Sequence, residues 1–312
     1  MQYDIIGDIH GHADKLEILL LNLGYEMTDG IYQQEGHQVV FVGDFIDRGE
    51  QHRRTIEIVR NMVKFGDAHA VMGNHEYNAI CYHSLKEGSK TDCLRAHTKG
   101  KFKQHESFLK EYPLGKDDTD AVINWFKELP LFLEFDNFRV VHACWDENAI
   151  RQLIDGGYLN KNNCLKEEFW SESANNKTQL FQCIEKILKG EEVDLPDGEY
   201  FFDKDGNKRK SVRIKWWGDK NGYCRDVAFG YDPQAMSNFP AIKPLIPASS
   251  PSYPDSENPA FFGHYWQIGI PVLQQKNLCC VDYSAGKGGD LVCYQFHNPE
   301  EIEKLDEKNF VC

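Results

Sequence analysis

Residues 1–12 read MQYDIIGDIHGH. An apolar strand, Tyr3 to Ile6, runs straight into Gly7, Asp8, Ile9, His10 and Gly11. Gly-Asp alone is ordinary turn chemistry. A carboxylate and an imidazole two residues apart, pinned between glycines, make half of a metal site if other loops bring the rest. The same pattern recurs twice. QVVFV (38–42) leads into GDFIDRG (43–49), and AHAVM (68–72) leads into GNHE (73–76). Three strands therefore deliver Asp8 and His10, then Asp44, Asp47 and Arg48, then Asn74 and His75. Between them, Asp14–Leu23 sets Leu16, Leu19, Leu20 and Leu23 at helical spacing, and Thr55–Phe65 repeats this with Ile56, Val59 and Val63. Repeated strand–loop–helix units build a parallel sheet whose loops gather at the strand C-terminal ends. The expected class is α/β.

The chemistry of two divalent ions held ~3.5–4 Å apart calls for a shared carboxylate and hard O and N donors on each side. Asp8 and His10 would hold the first ion and Asp44 would bridge. Asn74 offers an amide oxygen to the second, which then needs further donors. His142 closes the strand FRVVHA (138–143), and His264 follows AFFG (260–263), so both are suitably placed. His12 lies outside the pattern and reads as a neighbour of the site, not a ligand. The remaining histidines (37, 52, 69, 83, 97, 105 and 297) read as surface or structural.

Away from the loops, 86–128 reads as a polar helical insertion over the surface, and strands return at Leu131–Phe135 and Phe138–Val141. Residues 146–260 are less regular. Lys166–Leu188 looks helical, Asp203–Lys210 (DKDGNKRK) reads as a charged hairpin tip, and prolines 240, 244, 247, 251, 254 and 259 stiffen one extended loop. Strands at Ala260–Phe262, Leu278–Val281 and Leu291–Phe296 complete a two-sheet core. The expectation is one domain over 1–312, with a surface excursion about 146–260.

Of 312 residues, 41% are hydrophobic and 27% charged, values of a soluble globular chain. The net charge of −14 argues against unassisted binding to nucleic acid or anionic membrane, which needs a basic footprint. There is no run of 18 apolar residues, and Met1 leads at once into the first strand without a signal-peptide pattern. Ten cysteines with no CxxC pair read as reduced, mostly buried thiols, so the expected address is the cytoplasm.

GDIHG, GDFIDRG, GNHE, VVHA and FFGHYW in this order resemble the calcineurin-like metallophosphoesterases, in particular the phosphoprotein phosphatase branch that includes bacterial diadenosine tetraphosphatases. The stretches 122–143 and 278–296 are similar to the bacterial tetraphosphatase group. The resemblance implies two β-sheets packed face to face with helices outside both, a four-layer α/β/β/α arrangement. It implies Asp8, His10, Asp44, Asn74, His142 and His264 as metal ligands. It further implies His75 as general acid oriented by Asp47, and Arg48 as a clamp on the substrate phosphate beside Asn74. Arg213 in SVRIKWW is the best match for a second phosphate arginine. The chain departs from the family at Cys144-Trp145, Tyr265-Trp266 and Asp282-Tyr283-Ser284, positions expected around the substrate mouth.

The implied reaction is direct attack on phosphorus by a hydroxide bridging two divalent ions, manganese first, with iron, zinc or nickel as alternatives. Lowering the pKa of that water from 15.7 to about 7 removes roughly 12 kcal/mol from the cost of forming hydroxide at neutral pH. A dinucleoside polyphosphate or small phosphate ester ranks equally with a phosphoserine/threonine protein as substrate. An RNA-end phosphatase or phosphodiesterase comes next, and a metal-bound sensor or scaffold without turnover last. Trp170, Trp216 and Trp217 near Arg213 could stack on a nucleotide base or pack the core.

Overall fold

The computed structural model describes residues 1–66, 68–202, 208–230, 241–297 and 304–312. In chain order, β1 (Gln2–Ile6) is followed by α1 (Ala13–Asn22), the short β2 (Glu26–Thr28) and β3 (Ile31–Gln33), β4 (His37–Phe41), α2 (His52–Phe65), β5 (Ala68–Ala70) and α3 (Asn74–His83). Then come α4 (Lys99–Glu111), α5 (Asp117–Lys127), β6 (Phe132–Glu134), β7 (Arg139–Val141), α6 (Glu147–Asp155), α7 (Trp170–Ser173) and α8 (Gln179–Lys189). The chain continues through β8 (Glu192–Asp194), β9 (Phe201–Phe202), β10 (Lys208–Arg209), β11 (Ser211–Arg213) and α9 (Cys224–Val227). It ends with β12 (Ala260–Phe262), β13 (Leu278–Cys280), β14 (Cys293–Phe296) and β15 (Phe310–Val311).

The fold is mixed α/β. A five-stranded sheet has the order β15-β14-β1-β4-β5, and a four-stranded sheet has the order β13-β12-β7-β6. β1, β4 and β5 are parallel as the sequence pattern predicts, with Ile6 opposite Phe41 and Phe41 opposite Ala70. That register starts all three motif loops at one level of one sheet edge. In the second sheet β12 runs parallel to both β7 and β13, so the chain leaves Val141 and Phe262 in the same direction.

The period of two along each strand sorts its side chains into two apolar clusters. Ile5, Val40 and Val71 share one with Val140, Phe261 and Cys279 of the other sheet. Ile6, Val39 and Phe41 face the opposite way, into a cluster with Leu16 and Leu20 of α1, Ile56 and Val59 of α2, and Phe108 of α4. That larger cluster also takes Trp125 and Phe126 of α5, so the helices of 99–127 reach well into the interior.

One element differs from expectation, and two other readings meet the structure in part. The single helix expected over Lys166–Leu188 is broken: α7 ends at Ser173, and Thr178 caps α8 by accepting the Phe181 N–H at 3.2 Å. A side-chain acceptor at the N-terminus satisfies an otherwise orphan donor and allows the restart. Of the two roles open to the tryptophans, core packing is the one they take. Trp170 and Trp216 are 4% and 2% exposed, Trp217 packs against the same core, and the Trp216 indole N–H donates to the Ala143 carbonyl at 3.0 Å. Residues 203–207 of the expected hairpin tip, and Pro240, lie outside the described residues; the flanks of the tip, β9 and β10, do pair antiparallel.

Candidate metal centre

Five of the eight non-glycine residues with positive φ among the described residues are site candidates: His10 (50°), Asp44 (55°), Asp47 (67°), Arg48 (71°) and His264 (61°). Left-handed backbone is costly for side-chain-bearing residues, on the order of 1–3 kcal/mol each, and persists where the surroundings over-determine it. The loops here are locked to one another. Ile9 and His10 N–H donate to the Asp44 carbonyl at 3.1 and 2.9 Å, and Gly49 N–H donates to that of His10 at 2.9 Å. A Cβ on Gly73 would sit 2.2 Å from Asp44 Oδ1, and one on Gly263 would sit 2.0 Å from Asp8 Oδ1, so only glycine lets these loops meet.

Glu76, to which sequence reading gave no role, ties two of the loops together. It is fully buried and accepts the backbone N–H groups of Asp44 (2.8 Å), Phe45 (2.8 Å) and Gly73 (3.0 Å). Burial and the neighbouring Asp44 charge push its pKa up to about 7. The signal was present in the sequence as an acid three residues after Gly73, at the start of α3, in capping-box position.

The donor atoms converge on Asp44. His10 Nε2 lies 3.7 Å from Asp44 Oδ2, and His75 Nε2 lies 3.9 Å from the same oxygen. His142 Nε2 lies 3.4 Å from Asp44 Oδ1 and 3.1 Å from Asn74 Oδ1. Two groups of mutually close donor atoms result, His10–Asp44–His75 and Asp44–His142–His264, and they share Asp44. Each ring is oriented from behind. His10 Nδ1–H donates to the Ile46 carbonyl at 2.9 Å, and His142 Nδ1–H donates to that of Val42 at 2.8 Å. With Nδ1 committed, the Nε2 lone pairs point at carboxylate and amide oxygens, an arrangement of acceptors that calls for a cation between them.

Asp8 fits the same demand. It is 2% exposed; its Oδ2 accepts the His264 N–H at 3.1 Å, while its Oδ1 has no partner among the described residues. Burial, then the charges of Asp282 and Asp44, hold its pKa well above the usual carboxylate range. Cations would relieve that repulsion. The residues present therefore fit two divalent ions. Against the expected set, Asp8 lies outside both donor groups and His75 falls within one.

Around the cluster, His75 Nδ1–H donates to Asp47 Oδ2 at 2.5 Å, and His105 Nδ1–H donates to Asp47 Oδ1 at 2.7 Å. Burial works against protonation of His75, but the Asp44 and Asp47 charges outweigh it and raise its pKa. His105 takes the structural of the two places open to it. Expected at the surface or in a structural place, it is 5% exposed and braces the partner of the candidate general acid. Its signal was its helical spacing with Phe108 of α4 and with Tyr112 just past the helix end, an apolar face.

Arg213 Nη1–H donates to His264 Nε2 at 2.8 Å and Nη2–H to Glu192 at 3.1 Å. Asp8, His10, Asp44, Asn74, His75 and His264 line one cleft of about 850 Å³ together with Arg48 and Arg213; His142 lies fully buried behind it. His12 is partly buried beside α1 and belongs to neither donor group. Of the departures from the family pattern, Trp266 and Asp282 line the cleft, while Cys144 and Tyr265 are buried.

A family model described as calcineurin-like phosphoesterase matches residues 1–219, and the chain belongs to that family. A relative named symmetrical bis(5'-nucleosyl)-tetraphosphatase, from Janthinobacterium sp. (strain Marseille), is 33% identical over 96% of this chain and 94% of its own. An asymmetrical bis(5'-nucleosyl)-tetraphosphatase from Halalkalibacterium halodurans is 47% identical over 48% of this chain, which spans only 60% of that relative's length. A protein serine/threonine phosphatase structure from Saccharomyces cerevisiae superposes with a TM-score of 0.53 at 13% identity, covering all of this chain and 78% of that one, a likeness of fold.

Proposed function

We propose that the chain is a metal-dependent phosphoesterase that hydrolyses phosphate anhydrides or esters, with dinucleoside polyphosphates as first substrate class and phosphoserine/threonine protein as second. The observation that carries this is the pair of donor groups sharing Asp44. Asp8, His10 and Asp44 would hold one ion, and Asp44, Asn74, His142 and His264 the other. Bound there, two divalent cations supply an activated water and neutralise charge on the phosphate. Manganese is the first choice for this O/N donor set, with iron, zinc and nickel to be compared.

The chain's own groups do the rest. Arg48 and Asn74 face the cleft where the phosphate would sit, with Arg213 as second clamp. His75, kept protonated by the carboxylates beside it, gives its Nε2 proton to the leaving oxygen, while Asp47, itself held by His105, fixes the ring. The apolar cluster drawn from both sheets supports reading the core as two sheets face to face with helices outside, one domain over 1–312. No helix among the described residues is long and apolar enough to cross a membrane. Ten free cysteines support a reducing, cytoplasmic setting.

The test is an activity panel on the purified chain reconstituted separately with Mn²⁺, Fe²⁺, Zn²⁺ and Ni²⁺. Substrates are diadenosine tetraphosphate, a phosphopeptide and an aryl phosphate. Hydrolysis of the tetraphosphate with at least one metal is expected. No turnover of any substrate with any metal overturns the reading.

A further inference from the structure

The chain carries a net charge of −14, yet its cleft is basic. Seven Lys and Arg side chains line it, against Glu50 and Glu106 as the carboxylates outside the metal cluster and its neighbour Asp282. Arg95 is half-buried, and its guanidinium donates to amide oxygens, those of Asn78 and Gln104, with no carboxylate partner among the described residues. Burial pulls its pKa down, and the negative groups nearby, Asp47 and Glu185 among them, do not make up the loss. Such a charge is costly to hold unless an anion completes it. Lys103, Ser107 and Lys110 of α4 stand at i, i+4 and i+7, on the side of the helix that lines the cleft. His105 and Phe108 take the buried side. Neither lysine has a carboxylate partner among the described residues.

Position gives these cations a direction. Arg95, Asn78 and Gln104 share a small pocket with His75 and Asp47, the general-acid pair, so they flank the leaving-group side. We propose that Arg95 and the Lys103/Lys110 side of α4 form an anion subsite for the leaving half of a phosphoanhydride substrate. This rests on the phosphoesterase reading of the same cleft. In the cleavage, water oxygen bonds to phosphorus, the anhydride P–O bond breaks, and its electron pair leaves on the bridging oxygen. A departing phosphate chain carries that charge beside several others, so neighbouring cations help it more than they help a neutral alcohol.

Two variants test this: the exposed pair Lys103→Gln/Lys110→Gln, which leaves the core untouched, and Arg95→Gln. Each should lower kcat/KM for diadenosine tetraphosphate about tenfold more than for an aryl phosphate, the pair with a flatter salt dependence as well. Calorimetric binding of inorganic tripolyphosphate to the metal-free chain should weaken by a similar factor in the paired variant. Equal losses on both substrates, or unchanged tripolyphosphate binding, overturn the subsite. Tripolyphosphate binding that depends on the two lysines in a chain that turns over no substrate would overturn the phosphoesterase reading and leave the subsite standing.

Discussion

The loops after β1, β4 and β5 and the long excursion of 146–260 contribute to the same cleft by different physics. The loops carry their chemistry in backbone: left-handed residues, glycines with no room for a Cβ, and Glu76 gathering three N–H groups. The excursion carries its contribution in packing. Trp216 fills the interior and hangs from the Ala143 carbonyl beside His142, and the β8–β11 ribbon projects Arg213 to His264. The first region is therefore intolerant residue by residue, whereas the second should tolerate change wherever volume and one or two polar bonds are kept.

The largest effect should come from the one residue both donor groups share. Asp44→Asn removes the carboxylate proposed to bridge the two ions, and with it a negative charge shared by both donor groups. Metal content of the purified variant should fall towards zero, with activity down by roughly 10³-fold or more. Full retention of both ions would break the comparison at its centre, since the loops would then not be built around Asp44.

Next is His75→Asn, which should keep the metals and lose about 10²–10⁴ in rate, the usual worth of a general acid. The loss should shrink for nitrophenyl phosphate, whose leaving group barely needs a proton. An equal loss on alkyl and aryl phosphates would show that His75 serves as ligand, as its place in the first donor group allows.

What the sequence revealed follows the same divide. Asp8, Asp44 and their loops were legible because glycines and acids at a strand end leave few alternatives in structure. The parallel sheet was legible from alternating periods of two and 3.6. The break before α8, the burial of Trp170 and Trp216, and the reach of His105 to Asp47 were not. The burial and the His105 contact depend on segments far apart in sequence, 58 residues for His105, and no local pattern encodes the partner, whereas the break is a local cap at Thr178 that the apolar periodicity masks. Glu76 falls between: its position and its bond to Gly73 were visible, its two long-range donors, Asp44 and Phe45, were not.

His105 offers a smaller and more diagnostic effect. Asn keeps a donor near the place of Nδ1, while Phe keeps the volume and the stacking on Phe108. His105→Phe should lose about 10- to 100-fold in kcat with little change in KM, and His105→Asn should recover much of it. The loss should again be weakest for nitrophenyl phosphate. Identical behaviour of the two variants would reduce His105 to a core residue and move α4 to the packing side of the comparison.

The smallest expected effect falls on the excursion itself. Arg213 is half-buried, donates to His264 and is tethered by Glu192 at the end of a two-stranded ribbon, so its loss leaves no cavity in the core. Arg213→Ala should raise KM for diadenosine tetraphosphate about tenfold, the scale of one charge-assisted contact to phosphate. Its effect on an aryl phosphate should be smaller, with metal content and thermal stability near those of the parent. A large fall in metal content would instead mean that the guanidinium's main task is to orient His264, and the excursion would then belong to the metal centre as fully as the loops do. Unchanged kinetics on both substrates would remove Arg213 as a phosphate clamp and direct the search to Lys215 and Arg225. Both lie close in sequence, but Lys215 reaches back to the Asp226 carbonyl and Arg225 pairs with Asp226, so Arg213 is the one that the ribbon brings into the cleft.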